Sequence, residues 1–334
     1  MNRADLMYQS GPEPTPGRRP NNALISVVIP AYNEFECIDE LGRRLQGVFA
    51  ARPDLRFEAI IVENGSSDGT INKLLSLRSE DSRFRIVQLS SNFGCDNGMA
   101  AGMEFAVGDA CVLMTADLQD PPELILDFIA LWEQGFDNVF GVVKTRGGTG
   151  PVRRFNSRAY YKVLNWASSD AIPENASDFR IIDRVVYEAV RSMPERSRFL
   201  RSMISWTGFR SAGIPFDRPE RFGGESKADT LGVINNAINS ILQSSKLFIR
   251  MIPILGVLIF GCSLVAEVVL IVDWVARGVP FNGFGSLVSL GLMSLGLITL
   301  ILGVIGQYVW LVFEQVRERP NFVVRRVFDD EKRV

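Results

Sequence analysis

Asp117 and Gln119 lie two residues apart in the nonapeptide Thr115-Ala-Asp-Leu-Gln-Asp-Pro-Pro-Glu123, directly after the apolar run 110–114. An apolar run that ends in a carboxylate and an amide marks the carboxyl end of a strand, the edge where open α/β sheets bind ligands. On an extended segment both side chains share one face, as a divalent ion held by a nucleotide diphosphate would need. A further carboxylate heads Asp178-Phe-Arg180, and a later stretch, Arg218-Pro-Glu-Arg221-Phe-Gly-Gly-Glu-Ser226-Lys227, joins cations to glycines. A departing diphosphate needs positive charge, which Mg²⁺ on Asp117 with Arg221 and Lys227 would supply, Ser226 adding a hydrogen bond. The same basic strip also suits a surface that faces anionic lipid.

There is no histidine in the chain. That removes His-based triads and phosphohistidine chemistry, so a general base must be a carboxylate or a group that the substrate brings. A net charge of -2 argues against a nucleic-acid footprint. Cys37, Cys95, Cys111 and Cys262 lack metal-ligand spacing, and neither disulfides nor structural zinc are expected.

The elements that must position these residues alternate in type. Apolar, β-branched runs at 24–29, 57–62, 84–89, 110–114 and 138–143 are separated by helical stretches at 35–51, 70–79, 97–107 and 122–134. This βαβ series predicts an α/β fold with a mostly parallel sheet covered on both faces. The first two strands end in Pro30-Ala-Tyr32-Asn-Glu34 and Glu63-Asn64-Gly-Ser-Ser-Asp-Gly-Thr70. Taken singly, such a glycine-bearing turn is ordinary punctuation between strand and helix. Together these loops bring carboxylates, amides and one aromatic to a single edge, which suits a nucleotide. Glu63 or Asn64 can read uracil N3–H and its flanking carbonyls, and Tyr32 can cover a ring face or be simply a half-buried aromatic.

Two apolar stretches, 252–276 and 287–313, are each roughly 25 residues long, enough to span a bilayer with some tilt. Lys246 and Arg250 precede the first, and Arg317, Arg319, Arg325 and Arg326 follow the second, so both termini are expected on the cytoplasmic face of a multi-pass inner or plasma membrane protein. The expected organisation is a disordered, proline-bearing leader (1–22), a catalytic domain (23–228) and an amphipathic juxtamembrane helix (229–250). Two membrane helices (251–313) and a cytoplasmic tail (314–334) complete it. Glu267 within the first span is expected to serve an oligomer contact.

The strings Val28-Ile-Pro-Ala-Tyr-Asn-Glu34, Glu63-Asn-Gly-Ser-Ser-Asp-Gly-Thr70, Asn92-Phe-Gly94 and Ala116-Asp-Leu-Gln-Asp-Pro-Pro-Glu123 resemble glycosyltransferase family 2, in its polyprenyl-phosphate branch. Asp178-Phe-Arg180, Arg221, Gly224-Glu-Ser-Lys227 and the paired C-terminal spans extend the likeness over nearly all of the chain after residue 22. The resemblance implies a GT-A, Rossmann-like catalytic domain and an inverting transfer of a hexose, glucose first, from a UDP-sugar to undecaprenyl or another polyprenyl phosphate. It implies Mg²⁺ or Mn²⁺ at Asp117 and Gln119, and a donor pocket lined by Pro30, Tyr32, Glu34, Glu63, Asn64, Asp96 and Ser226. It also implies that Asp178 is the acidic residue at the active centre, with Arg221 and Lys227 acting in catalysis, and that the protein is a homo-oligomer, a tetramer among the options. The lipid-linked product would then serve O-antigen or cell-envelope modification.

Two positions depart from the family pattern: Thr115 stands where an aspartate is frequent, and Asn64 where a second acid is usual. Asp178 has the alternative of simply pairing with Arg180 or a loop amide, and Arg153, Arg198 and Arg201 are candidates for a cationic acceptor cradle. A processive polysaccharide synthase and a membrane sensor or scaffold without turnover are the rival readings.

Overall fold

The computed structural model describes residues 8–11, 19–144, 175–195, 199–219, 272, 276 and 283–329. In chain order these form β1 (Tyr8–Ser10), β2 (Leu24–Ala31), α1 (Ile38–Ala51), β3 (Arg56–Glu63), α2 (Thr70–Glu80) and β4 (Phe84–Leu89). There follow α3 (Cys95–Phe105), β5 (Ala110–Leu113), α4 (Leu124–Glu133), β6 (Asn138–Val143), β7 (Ala176–Asp183), α5 (Arg184–Ser192) and α6 (Leu200–Trp206). The last three are β8 (Ser211–Phe216), α7 (Phe284–Val316) and β9 (Val324–Phe328). All strands join one sheet of order β1-β8-β6-β7-β5-β2-β3-β4-β9.

Its centre, β5-β2-β3-β4, is parallel, as the βαβ pattern requires. β7 enters antiparallel between β5 and β6, while β6 and β8 run parallel to each other. The central strands are apolar without a break because they are covered on both sides. Val27, Ile29, Ala59 and Ile61 face a core shared with Leu41, Leu45, Phe128 and Trp132 of α1 and α4. Their neighbours Val28, Ile60 and Val62 face Met99, Met103, Tyr187 and Ile204 of α3, α5 and α6.

One helix lies unusually close to the sheet. A Cβ on Gly102 of α3 would stand 2.3 Å from Val28 Cγ1, and one on Gly98 2.9 Å from Pro30 Cβ. These two residues, one helical turn apart, let α3 settle onto β2 and β3 and bring its first turn, with Cys95 and Asp96, to the carboxyl edge of the strands.

The start of the described chain departs from the expected disorder, and its end carries a strand inside the expected tail. Tyr8–Ser10, within the segment expected to be disordered, pairs antiparallel with β8. Arg19 is anchored by Asp137, by the carbonyls of Trp132 and Phe136, and by Asp183, with its guanidinium over the Trp132 ring. Val324–Phe328, within the expected tail, closes the other edge of the sheet against β4. Arg78 donates to the Phe328 carbonyl and Asn321 to that of Glu195, so the segment after α7 is tied back to the catalytic domain.

α7 holds 33 residues, about 50 Å at 1.5 Å each, and contains the expected second span; between Phe284 and Phe313 its sequence has no charge. Among the described residues, no helix is long and apolar enough to cross a membrane; several side chains of α7 lie outside them. The amphipathic segment 229–250 lies outside the described residues, as does the stretch 252–276 apart from Val272 and Ala276.

Candidate active site

The first two strand-end loops are stitched to each other. The Asn33 N–H donates to Ser66 Oγ at 3.0 Å and the Ser67 N–H to Asn33 Oδ1 at 2.8 Å. The Glu34 N–H donates to Thr70 Oγ1 and the Phe35 N–H to Asp68, whose other oxygen holds the Thr70 hydroxyl and N–H. Pro30 ends β2 buried, with Tyr32 and Glu34 half-buried beyond it, while Glu63 is buried at the end of β3 and accepts the Ser66 N–H. Pro30, Tyr32, Glu34 and Glu63 therefore gather along one wall. Asn64 does something else. Its Oδ1 accepts the Phe93 N–H and its Nδ2 donates to the Gly94 carbonyl, each at 3.0 Å. The amide expected to read a base pegs the loop that leads into α3, a job for which the usual carboxylate lacks the donor.

The Thr115-to-Asp120 segment is a turn, not the extended run expected. Leu118 is buried with φ at 60°, a left-handed conformation that costs a leucine about 1–3 kcal/mol and is tolerated where function demands it. The Thr115 hydroxyl lies 2.8 Å from Asp117 Oδ1 and 2.9 Å from Asp120 Oδ2, so its one hydrogen serves one of them at a time. The Gln119 N–H also reaches Asp117 Oδ1, at 3.3 Å. Thr115 thus ties the two carboxylates together, and the turn, not strand alternation, brings Asp117 and Gln119 near each other. Asp120 is buried, and burial pushes its carboxyl up to about 6, against the pull of Arg218 and Thr115. Arg218 stands 3.7 Å from Asp120 Oδ1, which has no hydrogen-bond partner among the described residues.

β7 brings the third component. It pairs with β5 up to Leu113 opposite Arg180; two residues further along each strand come Thr115 and Asp178. Asp178 is gripped in a fork by Arg201 of α6, with Nε to Oδ1 at 3.0 Å and Nη2 to Oδ2 at 2.7 Å. Burial alone would raise its carboxyl, but Arg201, by charge and hydrogen bonds, then Arg180 and Arg218 hold it below the usual range. Its side chain is still 40% exposed, so solvent and ligands can reach it. Beside it, Asp96 is pushed up to about 7, first by burial and then by the Asp178 carboxylate, against Arg201, a hydrogen bond from the Leu200 N–H, and Arg180. Cys95 is exposed, yet burial and then Asp96, Asp178, Asp120 and Asp117 push its thiol well above the ordinary value.

Residues 26–191 match the family described as Glycosyl transferase family 2. The chain is 36% identical over 301 residues to the uncharacterized glycosyltransferase sll0501 of Synechocystis sp., covering 90% of this chain and 94% of the relative. The chain belongs to glycosyltransferase family 2. It is also 30% identical over 303 residues, 90% of this chain and 97% of the relative, to the SfII prophage-derived bactoprenol glucosyl transferase of Shigella flexneri. Among solved structures, glucosyl-3-phosphoglycerate synthase from Mycobacterium tuberculosis in complex with phosphoglyceric acid superposes with a TM-score of 0.49 at 17% identity, covering 67% of this chain and 80% of that one.

The chain is therefore a glycosyltransferase with a GT-A-like α/β fold. Within this family-2 enzyme, Pro30, Tyr32, Glu34, Glu63, Asp96, Asp117, Gln119 and Asp178 share the carboxyl edge of the sheet. Arg221, Ser226 and Lys227 lie outside the described residues, as do Arg153 and Arg198. Arg201, a candidate for the acceptor cradle, grips Asp178. Asp120 was not singled out, although its place beside Thr115, where the family often has an acid, was a usable signal.

Proposed function

We propose that the enzyme transfers a hexose, glucose first, from a UDP-sugar to a polyprenyl phosphate, with inversion at the anomeric carbon. The observation that carries this reading is the placement of Asp178, in its Arg201 fork, on the strand paired with β5, whose end leads into the Thr115 turn that holds Asp117, in a chain 30% identical, over 90% of its length, to a bactoprenol glucosyl transferase. An acceptor phosphate, with a second pKa of about 6, is its own nucleophile. Asp178, with both oxygens in the Arg201 fork, is poorly placed to attack carbon itself, which favours direct displacement by the acceptor over a covalent enzyme intermediate.

The donor set suits a hard divalent cation. Asp117 and the Gln119 amide offer oxygen ligands, and among the described residues no cage of three or more acidic, Cys or His groups exists, so the ion would need the donor's diphosphate. Mg²⁺ or Mn²⁺ bound there would offset charge developing on the departing diphosphate. Asp117 would hold the ion, the Thr115 hydroxyl and Gln119 N–H would fix the Asp117 carboxylate, and Glu63 and Tyr32 would seat the nucleoside. We also place the enzyme in a membrane, both termini cytoplasmic, as a homo-oligomer. Support comes from the uncharged run of α7, its exposed Leu287, Leu302, Val309 and Phe313, and Arg317 and Arg319 after it.

The test is transfer of radiolabelled sugar from a panel of UDP- and GDP-sugars into organic-extractable polyprenyl phosphate by purified enzyme with Mg²⁺ or Mn²⁺. Label from UDP-glucose that EDTA abolishes is the expected result. Label from a GDP-sugar alone, or none with nucleotide binding intact, overturns the proposal.

A further inference from the structure

Asp120 is 1% exposed, too deep to meet a substrate or an ion from solvent, so it acts through its neighbours. Its Oδ2 accepts the Thr115 N–H at 3.2 Å and lies 2.9 Å from the Thr115 hydroxyl. Its Oδ1 has no hydrogen-bond partner among the described residues. At 3.7 Å from that oxygen stands Nη2 of Arg218, whose own buried Nε also has no partner among them. A buried carboxylate oxygen without a donor costs stability, and a guanidinium is the group that best offsets it.

Leu118 and Ala116 are buried in the core, which holds the turn with Asp117 and Asp120 on either side of the Thr115 hydroxyl. That hydroxyl has one hydrogen for two carboxylates. The more fully Arg218 meets the charge of Asp120, the less Asp120 draws the hydrogen away from Asp117. Arg218 follows the end of β8 by two residues, and β8 stands three places from β5 in the sheet. The contact therefore joins two separate parts of the sheet's carboxyl edge. Arg218 also opens the sequence that carries Arg221 and Lys227.

We infer that Asp120 is a positioning residue that couples Arg218 to Asp117 through the Thr115 hydroxyl. With Asp120 engaged by Arg218, the Thr115 hydrogen goes to Asp117 and holds that carboxylate in one orientation for the ion. With Arg218 removed, Asp120 takes the hydrogen and the Asp117 carboxylate is less constrained. This rests on the metal-dependent donor site proposed above and deepens it. Residues that orient a metal ligand without touching the ion affect its affinity strongly, by about 10–100-fold.

The experiment is the apparent Kd of Mn²⁺ for the full chain in detergent with saturating UDP, and with GDP in a second arm. It is read from the electron paramagnetic resonance spectrum, which separates enzyme-bound from free and nucleotide-bound ion. Arg218 also acts by charge on Asp178, so transfer rates alone would mix two paths that ion binding separates. Arg218→Gln should weaken Mn²⁺ binding about tenfold. Thr115→Val, near in shape but without the hydroxyl, should weaken it by about as much, and adding Arg218→Gln to it should cost no more. Thr115→Ser, which keeps the hydroxyl, should bind Mn²⁺ like the wild type and regain the sensitivity to Arg218→Gln. Asp120→Asn should also abolish the Arg218 effect; where it fails to fold, Thr115→Val carries the test. Independent losses in the Thr115→Val, Arg218→Gln double variant, the mark of Arg218 acting directly on the diphosphate, overturn the inference. Wild-type Mn²⁺ affinity in Arg218→Gln overturns it as well. A wild type that binds no Mn²⁺ with either nucleotide refutes the metal-dependent donor site itself, and the coupling falls with it.

Discussion

Asp183 and Asp178 stand near opposite ends of β7, and their surroundings divide the enzyme into a part that holds and a part that works. At Asp183 the side chain is 6% exposed and three donors reach it: Arg19, Trp132 Nε1 at 2.9 Å, and the Val185 N–H at the start of α5. At Asp178 the side chain is 40% exposed, one arginine holds both oxygens, and its charge acts on the thiol of Cys95 together with those of Asp96, Asp120 and Asp117. A carboxylate surrounded by donors stabilises a fold. Carboxylates crowded together at a solvent-entered cleft cost stability unless a cation, a proton or a ligand offsets them, which is the signature of a site.

If that division is real, substitutions at the two ends should affect different observables. The largest effect is expected at Asp117→Ala, where transfer should fall about 10³-fold and extra Mg²⁺ or Mn²⁺ should not restore it, while thermal unfolding barely moves. Wild-type rates at saturating metal would remove Asp117 from the site. Arg19→Ala should do the reverse, leaving half-buried Asp137 and buried Asp183 short of a partner: about 3 kcal/mol of stability lost in denaturant titration, with kcat per folded molecule kept. Asn64→Ala should move both readouts modestly, by about 1–2 kcal/mol and about tenfold in donor KM, because it frees the Phe93–Gly94 loop.

The smallest effect sharpens the contrast by pH. Asp96, raised to about 7, binds more protons folded than unfolded between about pH 4 and 7, so it lowers stability as pH rises through that window. Asp96→Asn should therefore raise Tm at pH 8 and leave it unchanged at pH 4. Equal Tm differences at both pH values would contradict the assignment.

The parallel centre of the sheet was legible because strands buried on both faces are continuously apolar: 24–29, 57–62, 84–89 and 110–113 all stand as strands. β7 was not, because Ser177, Asp178 and Arg180 interrupt its apolar pattern, and a buried Arg180 looks like a loop residue until its neighbours are seen. β1 and β9 are short edge strands whose pairing depends on distant partners, which local pattern cannot reveal. Of the site, the residue types at strand ends were readable from their order. What Asn64 and Arg201 bind was not, since each depends on a backbone loop or strand remote in sequence.

The central claim is that chemistry sits at the Asp178 end of β7 and stability at the Asp183 end. The most direct measurement pairs Asp178→Asn with Asp183→Asn, following sugar transfer into polyprenyl phosphate per folded molecule and unfolding in denaturant on the same samples. The account predicts that Asp178→Asn loses about 10²–10³-fold in transfer with stability nearly unchanged. Asp183→Asn should lose about 3 kcal/mol with transfer nearly unchanged. Two variants that lose transfer and stability in proportion would contradict it.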